Sequence, residues 1–186
     1  KLNNAIVTRK DISNADYFLN AGNAIQKGIE ISADYTTFFN HSILDYLVIR
    51  SAFSQNNFKY GEFKKGTTDF SDKYLPSVPK NTVSILADVQ FIKGIYFNST
   101  YYYASKIFLD DANLNSADEY HLLGCRLGWK FPVKTRLKFN FYAGIDNLLD
   151  VIYSLGNDIN AAAGRYYNAA PGRNYYAGIL FQWNYL

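Results

Sequence analysis

Catalysis needs a nucleophile beside a base, and this sequence supplies few bases. His41 and His121 are its only histidines and Cys125 its only cysteine. Ser116 lies shortly before His121, but no nucleophile motif surrounds either residue. A serine hydrolase needs serine, base and orienting acid in one constellation, so the sequence reads as that of a protein that is not an enzyme. A calcium loop is the next option. In DDANLNSADE (110–119) the residues Asp111, Asn113 and Asn115 alternate as calcium ligands do. Ser116 then stands where a glycine is required and Leu122 where the final bidentate glutamate belongs, so the segment reads as a polar loop. No metal and no cofactor is expected. The third option is binding. A guanidinium beside phenol rings holds an anionic, ring-bearing ligand through charge and stacking, and Arg165, Tyr166 and Tyr167 form such a set. The competing assignment places the tyrosines in an aromatic girdle and pairs Arg165 with loop carboxylates. Lys59, Tyr60, Lys64 and Lys65 make a second basic, aromatic stretch, with a solvated surface as its competing assignment.

The elements that must carry these residues show a period of two. Val83, Ile85, Ala87, Val89 and Phe91 alternate with Ser84, Leu86, Asp88 and Gln90. The same pattern returns over 95–103, 123–131, 137–145 and 175–183, and with more noise over 24–39 and 43–56. Successive side chains on a strand point to opposite faces, so each segment has one apolar and one polar face. With a less regular strand at 2–9, the total is about eight strands. The fold class is all-β and antiparallel, with no convincing amphipathic helix.

Composition and loop lengths narrow this further. The chain has 17 Tyr and 14 Phe but only 4 Pro. Tyrosine is apolar along its ring and polar at its tip, which suits a boundary between hydrocarbon and water. Short connections near 40–42, 92–94 and 132–135 alternate with long ones at 57–80, 105–117 and 150–172. A transmembrane β-barrel has short periplasmic turns and long extracellular loops, whereas a soluble sandwich has no reason to alternate so regularly. Asp88, Arg126, Lys130, Lys138 and Asp146 share the polar phase of the last strands. Arg or Lys at mid-bilayer costs about 2–4 kcal/mol, so that face should line the lumen and the other should meet outer-membrane lipid. The formal charge of +3 is too small and dispersed for nucleic acid. No apolar run is long enough for a transmembrane helix, and no signal-peptide pattern opens the chain. The absence of any Met points to a processed or partial chain.

Four ordered segments carry a resemblance to a known family. NAGNAIQKGIEIS (20–32) and LPSVPKNT (75–82) are followed by Asn147, Leu148, Leu149 and Asp150, and then by Pro171, Gly172 and Arg173 ahead of an aromatic strand from Tyr175 to Trp183. The set resembles the barrel of TonB-dependent outer-membrane receptors, with Leu149 where an aromatic is commoner. The resemblance implies an antiparallel transmembrane barrel of about 22 strands, of which residues 1–186 would form the carboxy-terminal portion, with the plug domain outside this chain. It implies energised import of a scarce nutrient, foremost a ferric siderophore, in the outer membrane of a Gram-negative bacterium. It also implies contact with the TonB energy-coupling complex through the plug. Asn147, Leu148, Asp150, Pro171, Gly172 and Arg173 would be structural motif residues, and the extracellular loops would contribute to the ligand site. The alternative is a small passive or structural barrel of about eight strands closing on itself.

Overall fold

The computed structural model describes residues 2, 3, 6–10, 13, 15–20, 22–40, 43–134 and 137–183. Strands β1 (Ile6–Lys10) and β2 (Asp16–Asn20) form a separate antiparallel ladder. The main sheet is built from β3 (Ala24–Phe38), β4 (Leu44–Tyr60), β7 (Asn81–Phe91), β8 (Ile95–Ala104), β11 (Tyr120–Lys134), β12 (Leu137–Asp146) and β15 (Asn174–Trp183). Between them lie three small ladders: β5 (Lys64–Lys65) with β6 (Thr68–Asp69), β9 (Ile107–Phe108) with β10 (Ser116–Ala117), and β13 (Ser154–Asn157) with β14 (Tyr167–Ala169). The main sheet runs β15-β12-β11-β8-β7-β4-β3, every neighbouring pair antiparallel, and β3 does not pair with β15. Among the described residues it is an open sheet, not a small closed barrel.

Seven of the expected strands thus lie in one sheet. The eighth is corrected: residues 6–9 of the segment expected at 2–9 belong to β1, whose partner is β2. Leu2 makes only an isolated bridge to Ala24. The alternation there was too irregular to separate a sheet strand from a short local hairpin. β4 also continues to Tyr60, past the expected end near residue 56. The Ile92–Gly94 turn falls where expected, while the tip of the β11–β12 hairpin lies outside the described residues, as does His41.

The register explains how one face stays apolar across seven strands. Odd residues pair with odd ones except at the irregularities where Leu44 meets Phe91 and Lys134 meets Leu137: Phe53 pairs with Val83, Val89 with Phe97, Phe97 with Leu127, Trp129 with Phe141, and Phe141 with Ile179. A slip of one residue would turn a strand's apolar set onto the polar face. Lys27, Lys59 and Glu119, in the odd phase, fall near the strand ends that lead to the long connections. On the even face Asn98 Nδ2 donates to Asp88 at 2.8 Å and Tyr96 OH donates to Asn140 at 3.0 Å.

The even face is kept thin by tyrosines lying on cross-strand glycines. Tyr96 is opposite Gly128, Tyr142 opposite Gly178 and Tyr176 opposite Gly144. A Cβ on Gly128 would stand 2.2 Å from the Tyr96 ring, and one on Gly144 2.3 Å from that of Tyr176. These rings cover backbone that a side chain would otherwise shield. Cations cap two of them: Arg126 sits 4.0 Å from the Tyr142 centroid and Lys130 Nζ 4.9 Å from that of Tyr96.

No helix among the described residues is long and apolar enough to cross a membrane. Among the described residues fully buried hydrophobic side chains are few, as expected of a single sheet. The buried cluster sits at the long-loop end, where Tyr60 and Phe63 pack with Phe70 and Leu75.

Candidate functional site

The long connections after β4, β8 and β12 fold against one another at one end of the sheet, and the segment between β8 and β11 is their hub. Leu109 is fully buried. The next residue, Asp110, accepts from Leu114 N at 3.0 Å, Asn115 N at 2.7 Å and Asn115 Nδ2 at 2.7 Å. A carboxylate closing its own loop in this way holds the backbone in a tight turn. Asn113 takes the positive φ that the turn requires, 58°, as its residue type tolerates.

The hub then ties the other two loops. Tyr60 OH donates to Asp111 at 2.5 Å, and Tyr74 N donates to Asn113 Oδ1 at 2.8 Å while Asn113 Nδ2 returns a bond to Tyr74 O at 2.9 Å. From the other side, Asp111 N donates to Asn160 Oδ1 at 2.9 Å and Asn160 N to Leu109 O at 2.8 Å. Asp111, Asn113 and Asn115 therefore spend their polar groups on loop-to-loop bonds. Among the described residues no group of three or more His, Cys, Asp or Glu is placed to hold a metal.

Arg165, Tyr166 and Tyr167 remain close together at the third loop. Tyr166 OH accepts from Asn115 Nδ2 at 3.1 Å and Tyr167 OH donates to Ser116 O at 3.1 Å, which pins both rings to the hub. The rings meet edge-on at 6.5 Å. Arg165 is exposed, and no carboxylate pairs with its guanidinium among the described residues. The basic stretch after β4 is different. Tyr60 is buried, Lys64 pairs with Asp69 at 3.7 Å, and Lys65 Nζ donates to Tyr17 OH at 2.9 Å. Those residues do not form one tip: Tyr60, at the end of β4, is buried beside Phe63, whereas Lys64 and Lys65 are exposed in the β5–β6 hairpin. Hydrogen bonding by Ser71, with a smaller contribution from Lys64, lowers the Asp69 pKa below the ordinary carboxylate value. Its support of the hairpin is therefore present above the unfolded-state pKa and fades as pH falls through the lowered one.

The motif residues at the start and end of the third connection meet as a clamp. Asn147 is buried with φ of 49°. Its Nδ2 donates to Val151 O at 2.9 Å and its Oδ1 accepts from Val151 N at 3.0 Å. Asp150 accepts from Arg173 N at 2.9 Å, and Arg173 Nε donates to Leu148 O at 3.0 Å. Asn147 Nδ2 also approaches Pro171 O at 3.5 Å, and Gly172 lies against the Asp150 carboxylate. β12 and β15 are thereby locked together at the base of the loop. Asn147→Gly keeps the positive φ without strain and removes only the clamp. It should cost about 1–2 kcal/mol for the lost bonds, read as a lower urea midpoint for the purified protein.

Three cavities open at this end. One of about 440 Å³ is bordered by Tyr120, Tyr153 and Tyr167, and one of about 490 Å³ by Tyr102, Leu122, Tyr153 and Pro171. Tyr102, Tyr120 and Tyr153 form a chain of rings between them, with centroids 6.0 and 5.2 Å apart. The third, about 270 Å³, lies beside Lys80, Lys106 and Phe108. Sequence spacing did not bring these residues together, because their proximity depends on the register of β7, β8 and β11.

A family model described as TonB dependent receptor-like, beta-barrel matches residues 1–148. The chain belongs to this family of TonB-dependent receptor barrels. The barrel's fold is shared with the siderophore receptor PiuA from Acinetobacter baumannii, at a TM-score of 0.64 and 15% identity over 94% of this chain and 23% of that one. It is shared with the ferric preacinetobactin receptor BauA from the same organism, at 0.64 and 16% over 94% and 25%. The ferric yersiniabactin uptake receptor FyuA from Yersinia pestis matches at 0.61 and 18% over 91% and 25%. The chain thus spans about a quarter of the length of these receptors. The TonB-dependent family is one of transport receptors in the Gram-negative outer membrane, and the open seven-stranded sheet is a section of such a barrel.

Proposed function

We propose that this chain forms wall and extracellular mouth in a receptor that imports a scarce nutrient across the outer membrane under TonB energy coupling. The nutrient we favour is a ferric siderophore. The observation that carries this reading is the cap of three interlocked long loops over one end of a sheet with one apolar and one polar face. A pore for passive diffusion gains nothing from ordering its outer loops, whereas a high-affinity site must hold ligand-facing groups in place. Receptors of similar fold that bear siderophore names add weight to the choice of nutrient.

In this reading the odd face meets lipid and the even face lines the lumen. Residues 1–186 are the carboxy-terminal portion of the barrel, and the edges of β3 and β15 pair with further strands of the same protein, since lipid cannot satisfy open edges. The plug lies elsewhere in the protein and makes the TonB contact. Arg165 has no carboxylate partner among the described residues, Tyr166 and Tyr167 are held beside it, and these three contact the ligand.

The test is growth of a strain lacking the whole protein under iron starvation, supplied in turn with ferric catecholate, hydroxamate, citrate and haem. Loss of growth on one source, restored by the intact gene and weakened by Arg165→Gln, is the expected result. Equal growth of mutant and parent on every iron source would remove iron chelates from the account.

A further inference from the structure

The smallest of the three cavities has a chemistry of its own. Asn56 N donates to Lys80 O at 2.7 Å, and Ser105 N donates to Asn81 O at 2.9 Å. β7 and β8 therefore continue in register past their ends and bring Lys80 and Lys106 to the same hollow. Lys106 Nζ stands 5.8 Å from the centroid of Phe108, which is stacked on Tyr74 at 5.9 Å and 18°. Lys59 Nζ stands 4.9 Å from the other ring of that stack. No carboxylate borders the hollow, and none of the three lysines makes an ion pair among the described residues. Lys59 and Lys106 thus flank the two stacked rings, Lys80 borders the same hollow, and none of the three has a counter-charge among the described residues.

We propose that this hollow binds one aromatic ring carrying a carboxylate or phenolate. The ring packs against Phe58 and the Tyr74–Phe108 stack, and the anionic group lies between Lys80 and Lys106. The volume of about 270 Å³ is at the lower end of small-molecule sites, which run from about 300 to 1,000 Å³. It suits one substituted ring, either free or as one arm of a larger ligand, and not a whole chelate. The aromatic wall rejects small aliphatic anions, and the lysines reject neutral rings through the cost of leaving ammonium groups unpaired. The site is separate from Arg165–Tyr167, none of which borders it. As a step in import it rests on the receptor reading, but ring binding by the purified protein does not.

The test uses the whole receptor in detergent micelles and ligand-observed NMR titration with 2,3-dihydroxybenzoate, benzyl alcohol and acetate. The wild type is expected to bind the dihydroxybenzoate at least about tenfold more tightly than either control. The double variant Lys80→Gln/Lys106→Gln should lose about tenfold or more of that affinity, and Lys80→Arg/Lys106→Arg should keep it. Lys80 and Lys106 are both exposed, and the heat-modifiable gel shift of a folded barrel checks that each variant is intact. Unchanged dihydroxybenzoate binding by the folded glutamine variant, or benzyl alcohol bound as tightly as the anion, would overturn the proposal. Failure of the receptor reading is read separately, as absence of energised uptake in cells by wild-type protein.

Discussion

Leu127→Arg in the whole receptor should lower the stability of the assembled barrel by about 2–4 kcal/mol, while Ala52→Arg should change it by less than about 1 kcal/mol. Leu127 lies in the middle of β11, opposite Phe97 and Ala143 on the odd face, and 57% of its surface is uncovered by protein. If lipid covers it, a guanidinium there loses its hydration. Ala52 lies between Ser32 and Ser84 on the even face, so an arginine at that position reaches a polar lumen and breaks no side-chain hydrogen bond. The measurement is the urea midpoint of folded receptor in lipid vesicles, with the gel shift as a check on folded yield. A larger loss from Ala52→Arg than from Leu127→Arg would mean that the faces have been assigned the wrong way round.

The second large effect is expected at Gly94. This residue has φ of +81°, and a Cβ built there would stand 2.1 Å from the backbone oxygen of Lys130. Gly94→Ala therefore meets two costs at once: a left-handed conformation for an L side chain and a collision with main chain of the neighbouring strand. The turn has little room to relax. Gln90 Nε2 donates to Ile95 O at 2.7 Å and to Phe91 O at 3.0 Å, and Trp129 Nε1 donates to Lys93 O at 3.0 Å. A loss of about 3 kcal/mol or more is expected. Gly164 is the control, because its φ of +72° is similar but nothing lies within 4 Å of its added Cβ. Gly164→Ala should cost about 1 kcal/mol, the conformational part alone. The same unfolding experiment separates the two, and equal costs would show that the β7–β8 turn is not packed against β11 in the folded receptor.

Much of this architecture is written in the period-two pattern, because one buried face demands it of every strand. Phe97, Leu127, Ala143 and Ala177 follow one another across the sheet in the phase that alternation assigns them. What alternation does not encode is pairing between residues far apart in the chain. The tyrosine–glycine contacts, the Lys80–Lys106 hollow and the ring chain from Tyr102 to Tyr153 all follow from register. Register depends on turns such as Ile92–Gly94 and on the clamp of Asn147, Asp150 and Arg173. Short local hairpins are also hard to read, since β5–β6 and β9–β10 contribute only two residues per strand. The calcium-like spacing of Asp111, Asn113 and Asn115 serves a different purpose in the structure. The same carboxylates and amides that would ligate a cation instead close one loop and fasten it to two others.

The central claim is that this barrel belongs to an energised importer, and it is tested most directly by the initial rate of ferric chelate uptake in cells making the whole receptor. Rates are taken with radiolabelled iron before and after a protonophore collapses the inner-membrane proton gradient, and the rate of a strain lacking the receptor is subtracted. The account predicts that the receptor-dependent rate falls nearly to zero on collapse, while chelate binding at the cell surface persists. A receptor-dependent rate that continues unchanged without the gradient would contradict it and make the protein a passive pore.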